Sequence, residues 1–190
     1  GQAIDDEVRV TIAAQACLPL LGDEGAACYP RLRQVLVYPD PFVVQHMQTL
    51  QGGVVDMQPR ALSGESWGQG QVILAWSQVL DGAAASDDGR NVVLHEFAHQ
   101  IDQDSGSADG RPFLPNAAAR RRWSAVMGEA FARLQHTPSA VLDAYGASDP
   151  AEFFAVATEV FFERPHALAE EAPQVYDELA RLYRLQPALW

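Results

Sequence analysis

Cysteine is scarce in this sequence, and its shortage is the first constraint on the fold. Two cysteines, Cys17 and Cys28, are too few for a scaffold built on disulfides. Both have apolar or small neighbours, which predicts two buried free thiols in a reducing cytoplasm. The chain also lacks any apolar run near the roughly 18 residues that cross a bilayer, so we expect no membrane span.

Basic residues are also few. The chain has 13 Lys and Arg against 25 Asp and Glu, which gives a formal net charge of −12. Surfaces that bind nucleic acid or anionic lipid concentrate positive charge, so we expect neither kind of partner. No signal peptide is visible, because no charged segment is followed by an apolar one, and this favours a cytoplasmic location.

The length and composition suit an ordinary globular domain. The 190 residues, 48% hydrophobic and 20% charged, are enough for one domain with a real core, predicted over residues 1–190. Strand patterns come early and helical patterns come late, which predicts an α+β fold. We expect strands over 33–38 and 71–76, turns with a hairpin over 51–70, a loop over 81–89, and helices over 7–20, 90–103, 117–135, 150–163 and 173–185.

The segment NVVLHEFAHQID is predicted to be a helix that carries two histidines one turn apart. His95 and His99 then point the same way and can share one metal ion. Glu96 lies about 100° around the helix, beside the metal, where a general base for water has to sit. The alternative is a pair of core histidines, but burying such groups without partners costs several kcal/mol. The pattern therefore predicts a zinc site.

The remaining histidines give weaker signals. His46 follows a strand-like run, and His166 follows a proline in a predicted turn. His136 ends a predicted helix, where a cation suits the helix dipole. We interpret all three as structural or surface residues rather than metal ligands.

Two imidazoles need a third protein ligand to hold a catalytic zinc. The metzincin pattern wants glycine at position 102 and histidine at position 105, and the chain has Asp102 and Ser105 there, so that class is excluded. A carboxylate on a buried helix downstream is the remaining source. The helix predicted over 150–163 supplies Glu152, Glu159 and Glu163.

The three glutamates are not equivalent. Glu163 ends its helix and is expected to be solvated. Glu152 and Glu159 are separated by about 20° around the axis, so they share a face. Glu152 is also the natural capping-box partner of Asp149, whereas Glu159 lies among apolar residues and needs a partner if buried. The residues alone leave both Glu152 and Glu159 open as the third ligand.

Four segments carry a resemblance to a known family. They are HEFAHQID at 95–102, DAYGASDPAEFFAVATEVFF at 143–162, VLVYPDPFVV at 35–44 and SGESWGQGQVILAW at 63–76. In order and spacing they resemble the Mlc titration factor A family of zinc-dependent peptidases, over most of the chain. Members of that family are longer at the N-terminus, so an N-terminal extension is expected to be absent here. The family belongs to the glutamate-liganded zincins and is similar to the catalytic domain of anthrax lethal factor.

The resemblance implies a particular site and fold. It implies one zinc ion per chain with His95, His99 and Glu152 as ligands and Glu96 as general base. It also implies that Tyr145 hydrogen-bonds the developing oxyanion. The implied fold is zincin-like, with a small sheet and an active-site helix carrying HEFAH, packed on further helices.

One position departs from the family pattern. Many glutamate zincins carry an acidic residue four positions after the glutamate ligand, where it braces a histidine, and here that position is Val156. Asp102 and Glu159 are the expected substitutes in this bracing role.

The implied reaction is hydrolysis of a peptide bond by a zinc-bound water that Glu96 activates. The family favours aminopeptidase-like cleavage of short peptides, and the strand at 71–76 is expected to pair its exposed edge with the peptide. The alternative is a regulatory binding protein, because the family is named for sequestering a transcriptional repressor. In that case catalysis would be secondary.

Overall fold

The structure is a computed structural model that describes residues 3–23, 25, 28–49, 55–62, 64–67 and 70–190, and within 42–67 it describes the backbone only. In these ranges all strands end by residue 75, and helices dominate afterwards. The predicted α+β class, with early strands and late helices, is therefore confirmed. The side chain of His46 lies outside what is described, as do residues 51–54, 63, 68 and 69 of the segment predicted to form turns and a hairpin over 51–70.

Seven α-helices lie in the described part of the chain. They are α1 (Asp6–Cys17), α2 (Trp76–Ala84), α3 (Val92–Gln103), α4 (Ala117–His136), α5 (Pro150–Glu163), α6 (Pro165–Glu171) and α7 (Pro173–Tyr183). Five of them correspond to the predicted helices within a few residues. None of the helices in these ranges is long and apolar enough to cross a membrane.

Two helices, α2 and α6, differ from the sequence prediction. Residues 81–84 belong to the segment 81–89 that was predicted as a loop. Gly82 is instead packed in the helix, and a Cβ there would lie 3.3 Å from the side chain of Asn91. The alanines around it favour helix, so α2 continues to Ala84. His166, expected in a turn, lies exposed in α6, because Pro165 is a favourable first residue for a helix.

The strands form two sheets. They are β1 (Gln34–Tyr38), β2 (Phe42–Thr49), β3 (Val55–Leu62), β4 (Gly64–Trp67) and β5 (Gln71–Ala75). β5 is the central strand of one sheet, where it pairs in parallel with β1 and antiparallel with β4. β2 and β3 form a separate antiparallel hairpin, which is larger than the hairpin predicted over 51–70.

The position of β5 corrects the prediction of a peptide-binding edge at 71–76. β1 pairs along the whole of β5, from Gln34 opposite Gln71 to Tyr38 opposite Ala75. β4 occupies the other edge of β5. The predicted exposed edge is therefore wrong, because two flanking segments have strand-forming patterns that complete the sheet. Among the described strands, β4 pairs on one side only, and it also contacts α3.

The core surrounds α3 on two sides. Val93 and Phe97 pack with β5, α1 and α2, whereas Ala98 packs with α4, α5 and α7. Ile101 contacts both clusters. Helix α3 is therefore buried on two sides, between the two core clusters.

The two cysteines are exposed to solvent, so the prediction of buried thiols is wrong. Their neighbours Ala16 and Tyr29 take the buried positions, with 4% and 6% exposure. Successive residues at a helix end face different directions. Apolar surroundings in the sequence therefore do not determine which neighbour points inward.

Candidate metal centre

Helix α3 brings the two predicted histidines together. Asn91 caps its first turn, where the side-chain oxygen accepts hydrogen bonds from the N–H groups of Val93 and Leu94. One turn further, the rings of His95 and His99 lie with their centroids 4.9 Å apart. The two imidazoles therefore face one space from a well-capped, buried helix.

Helix α5 supplies the carboxylate of Glu152. Asp149 is the N-cap, with its side chain accepting from the N–H groups of Ala151 and Glu152, and Pro150 is the first helical residue. The Glu152 carboxylate does not serve as a capping-box partner. Its Oε2 lies 2.9 Å from His95 Nε2 and 3.4 Å from His99 Nε2.

Three donor atoms thus converge. One ligand atom each from His95, His99 and Glu152 lies within 4.8 Å of the others. Glu159, the other candidate, lies on the far side of His95: its Oε1 is 2.8 Å from His95 Nδ1, and its Oε2 accepts from the Asn91 N–H at 2.5 Å. The structure therefore brings Glu152, rather than Glu159, against both Nε2 atoms.

Tyr145 reaches the same group. It lies in a short 3-10 helix, Ala144–Ala147, whose N-cap Asp143 accepts from the Tyr145 N–H. The Tyr145 hydroxyl donates to Glu152 Oε1 at 2.9 Å. Its hydroxyl is therefore held at the rim of the space that the two imidazoles face.

Glu96 is buried next to the histidines. It is 4% exposed, and its Oε2 has no hydrogen-bond partner among the described residues. Burial raises the pKa of Glu96 to about 7, against the opposing effect of His95 and His99. An oxygen that is buried without a partner is costly, and such an oxygen suits contact with a water or substrate group.

Asp102, predicted to brace a histidine, holds a loop instead. Its Oδ2 accepts the N–H of Gly110 at 2.7 Å, and the Gly110 carbonyl accepts from Trp123 Nε1 at 2.8 Å. Gly110 has a φ of +73°, and a Cβ there would meet the carbonyl oxygen of Pro150 at 2.3 Å. Burial raises the pKa of Asp102 to about 6. The loop after α3 is thereby fixed against the start of α5.

The charges of the site favour a cation. Burial lowers the pKa of His95, but its hydrogen bonds with Glu152 and Glu159 outweigh this and hold the pKa well above the usual value. The same hydrogen bonds from the histidines hold the pKa of Glu152 well below its usual range, against burial. Two imidazoles and a carboxylate are the donors of many catalytic zinc sites, so these residues fit a bound zinc ion.

Sequence reasoning missed the part played by Asn91. Its Nδ2 donates to Gln15 Oε1 at 2.8 Å and to Glu163 Oε1 at 3.0 Å, and Glu163 Oε2 accepts the Gly89 N–H at 3.1 Å. Asn91 thus joins α1, α3 and α5. An Asn before an apolar run is an N-cap signal, but its bonds to distant elements leave no local pattern.

The same contacts correct the prediction for Glu163. It is half-buried and hydrogen-bonded rather than solvated. Of the other histidines, His136 ends α4 in an exposed position as expected. Neither His136 nor His166 belongs to the metal-competent group formed in the described residues.

Comparison with known proteins points to a metal-dependent peptidase family. The family described as glucose-regulated metallo-peptidase M90 matches residues 1–184. The chain is thus a member of a metallopeptidase class. It belongs to the M90 family, and the resemblance to Mlc titration factor A seen in its motifs is confirmed.

The similar proteins cover nearly the whole chain. An uncharacterized protein of Synechocystis is 40% identical over 98% of this chain and 69% of its own length. Mlc titration factor A of Serratia proteamaculans is 37% identical over 98% of this chain and 72% of its own. Mlc titration factor A of Salmonella agona is 36% identical over 99% of this chain and 72% of its own length. The likeness therefore extends far beyond the HEFAH segment.

Proposed function

We propose that this chain is a zinc-dependent peptidase of one zincin-like domain, cytoplasmic, with aminopeptidase-like action on short peptides. The observation that carries the proposal is the convergence of His95 Nε2, His99 Nε2 and Glu152 Oε2 beside the buried carboxylate of Glu96. Membership of a metallopeptidase family supports it.

His95, His99 and Glu152 would hold one zinc ion. When bound, such an ion polarises a substrate carbonyl and makes a water more acidic. Glu159 orients His95 in this proposal: by accepting the Nδ1 proton, it leaves the Nε2 lone pair facing the site. Asp102 acts indirectly. It lies on the same helix as His99 and anchors the loop that follows this helix.

Glu96 serves as the general base. It takes a proton from the water that attacks the peptide carbonyl and then delivers it to the leaving amine. In the metal-free site, burial raises the pKa of Glu96. A general base is most effective when its pKa lies near the working pH. Its unpartnered buried oxygen is free to contact that water.

Tyr145 stabilises the oxyanion. Its hydroxyl now donates to Glu152 Oε1, and the same hydroxyl would turn to the substrate oxygen as negative charge develops there. A hydrogen bond aimed at charge that forms in the transition state raises the rate more than the affinity.

The open edge of β4 replaces the 71–76 edge as the proposed peptide-binding strand. β4 pairs only with β5 among the described strands and contacts α3, so an extended peptide added there would run beside the metal helix. Proline at position 65 or 66 removes an N–H from alternate sides of β4. Peptide hydrolysis that persists unchanged in both variants would exclude this edge.

Glu96→Gln tests the enzymatic proposal. The variant keeps size and hydrogen bonding but cannot accept the proton, so it should retain zinc and lose peptide hydrolysis by about a thousandfold or more. Blocking the N-terminus of the peptide by acetylation should abolish cleavage by the wild type if the action is that of an aminopeptidase. Undiminished hydrolysis in Glu96→Gln would refute the role of Glu96.

A regulatory role is the second candidate, supported by the similarity to proteins named Mlc titration factor A. Under it, this chain binds a transcriptional repressor and catalysis is secondary. Repressor binding should then survive in Glu96→Gln, because the buried Glu96 presents no surface to a partner. Loss of binding together with hydrolysis would instead tie the contact to the active site.

A further inference from the structure

Cys17 and Cys28, the two cysteines of the chain, are neighbours in space. Tyr29, which follows Cys28, is hydrogen-bonded to Ala16, which precedes Cys17. The nearby Cys28 also contributes to the raised pKa of Cys17, and both cysteines are exposed. Cys17 is the last residue of α1, and Cys28 directly precedes the buried Tyr29. The proposed peptidase reaction uses neither thiol.

Tyr29 holds the two cysteine segments together. Its hydroxyl donates a hydrogen bond to the carbonyl oxygen of Ala16, the residue before Cys17. Its φ of 45° lies in the left-handed region that non-glycine residues seldom adopt. This local cost has to be offset by the contacts that fix Tyr29, so the proximity of the two thiols is built into the packing.

Tyr29 also reaches the metal helix. Its ring packs edge-on against the ring of Phe97, with centroids 4.7 Å apart. Phe97 lies on α3 between Glu96 and His99. A change at the cysteine pair is therefore two contacts away from the candidate metal centre.

We propose that Cys17 and Cys28 are a modification site, at which they form an intramolecular disulfide by exchange with a low-molecular-weight disulfide such as oxidised glutathione. The thiolate of one cysteine attacks a reagent sulfur and releases one thiol. The second cysteine then attacks the bound protein sulfur and releases the other. Two protein thiols are oxidised, the reagent is reduced to two thiols, and the cysteine protons pass to these products.

The bond should be stable once formed. Burial, with the nearby Cys28, raises the pKa of Cys17, so its thiolate is a poor leaving group and the disulfide resists reopening. The disulfide joins Cys17, at the end of α1, to Cys28, the residue before Tyr29. Such a link restricts the unfolded chain and fastens the Tyr29–Phe97 contact, so the melting temperature should rise by about 5 °C.

The test incubates the full chain, with its metal, in glutathione buffers of graded redox ratio. Mass spectrometry of the wild type should show a loss of about 2 Da, the two thiol hydrogens, with no glutathione retained. Cys17→Ser and Cys28→Ser are matched controls, and each should retain one glutathione and show no gain in melting temperature. Two intact thiols at every ratio, or glutathione retained on the wild type, would overturn the proposal.

Tyr29→Phe tests whether the hydrogen bond of Tyr29 promotes disulfide formation by holding Cys17 and Cys28 close together. The variant keeps the ring on Phe97 but loses the bond to Ala16, so the cysteines are held together less tightly. The oxidised-to-reduced ratio needed to close the disulfide should rise by about three- to tenfold, as expected for one buried hydrogen bond. An unchanged ratio would refute the positioning role of Tyr29.

Discussion

At the scale of single residues, the roles of Glu152 and Glu159 illustrate what spacing leaves undecided. Both lie on one face of α5, as their separation of seven predicts. The structure separates them by their partners: Glu152 contacts both Nε2 atoms, and Glu159 is held by the Asn91 N–H and His95 Nδ1. Spacing gives the direction of a side chain, but its partner depends on how two distant helices pack.

Zinc content should distinguish the two glutamates. Glu152→Gln removes a charged ligand, so the variant should fail to retain zinc after dialysis against a mild chelator. Glu159→Gln keeps all three donors and should bind zinc about 10- to 100-fold more weakly, the usual effect of losing a partner to a ligand. Metal analysis combined with chelator competition measures both. Loss of zinc in the Glu159 variant alone would mean that the ligand is Glu159.

At the scale of elements, boundaries were predictable where a local chemical signal marks them. Asp149 and Pro150 start α5, and the HEFAH segment lies in α3, a helix predicted from its apolar spacing. The pairing of β5 on both edges and the existence of α2 and α6 were not predicted. These features depend on which segments pack together in the fold. The spacing of apolar residues within one segment does not show which other segments it will contact.

Helix α3 should depend strongly on its cap. Asn91→Ala removes two capping bonds and the bonds to Gln15 and Glu163, so the free energy of unfolding should fall by about 2 kcal/mol. Asn116→Ala is the matched control, since Asn116 caps α4 by one bond to the Ala119 N–H in an exposed position. Its cost should be about 1 kcal/mol or less.

Urea unfolding of the zinc-free variants measures both caps without the contribution of metal binding. Equal losses in the two variants would mean that the bonds of Asn91 to α1 and α5 add nothing to its capping. In that case the hydrogen bonds that join the three helices would not contribute to the free energy of unfolding.

The end of α5 should make stability depend on pH. Burial raises the pKa of Glu163 to about 7, against the hydrogen bond from Asn91, which lowers it. An unfolded glutamate titrates near 4.3. The pKa of Glu163 is higher in the folded state than in the unfolded state. Its contribution to the free energy of unfolding is therefore fully present below about pH 4 and is lost as the pH rises through about 7.

Glu163→Gln should remove this dependence. Between about pH 4 and pH 8 the free energy of unfolding of the wild type should fall relative to the variant by roughly 1–2 kcal/mol, allowing for solvent screening of a half-buried group. Chemical unfolding of zinc-free protein across this range measures the difference. Glu170→Gln, at an exposed position of α6, should follow the wild type, and a Glu163 variant that does so as well would contradict the prediction.

At the scale of the whole molecule, the excess of acidic charge has a local counterpart in the site. The chain carries a net charge of −12, and three carboxylates, from Glu96, Glu152 and Glu159, surround two imidazoles. Without a metal ion, the raised pKa of His95 lets its imidazole carry a proton between Glu152 and Glu159, which offsets only part of this negative charge. A bound divalent ion should therefore stabilise the entire domain and not only the site.

Removal of metal should lower the melting temperature. At a free zinc concentration of about a thousand times Kd, binding contributes about 4 kcal/mol, which corresponds to roughly 10 °C for a chain of this size. Calorimetry before and after chelation measures the effect. Zinc and magnesium are then added back to separate samples of the metal-free protein. Zinc should restore the original value and magnesium should not, since the donors include two imidazoles. Equal melting temperatures with and without chelator would argue against a metal in the folded protein.

The placement of the donors on two separate helices also has a consequence for protein synthesis. A chain emerging from the ribosome presents His95, Glu96 and His99 while α4 and α5 have yet to be made. Domains fold as units once enough of the chain is available, so the donor set is completed only when Glu152 has been translated and α5 has packed on α3. Incomplete or prematurely ended chains therefore lack a complete donor set. Under the proposed function, they would be inactive until Glu152 is in place.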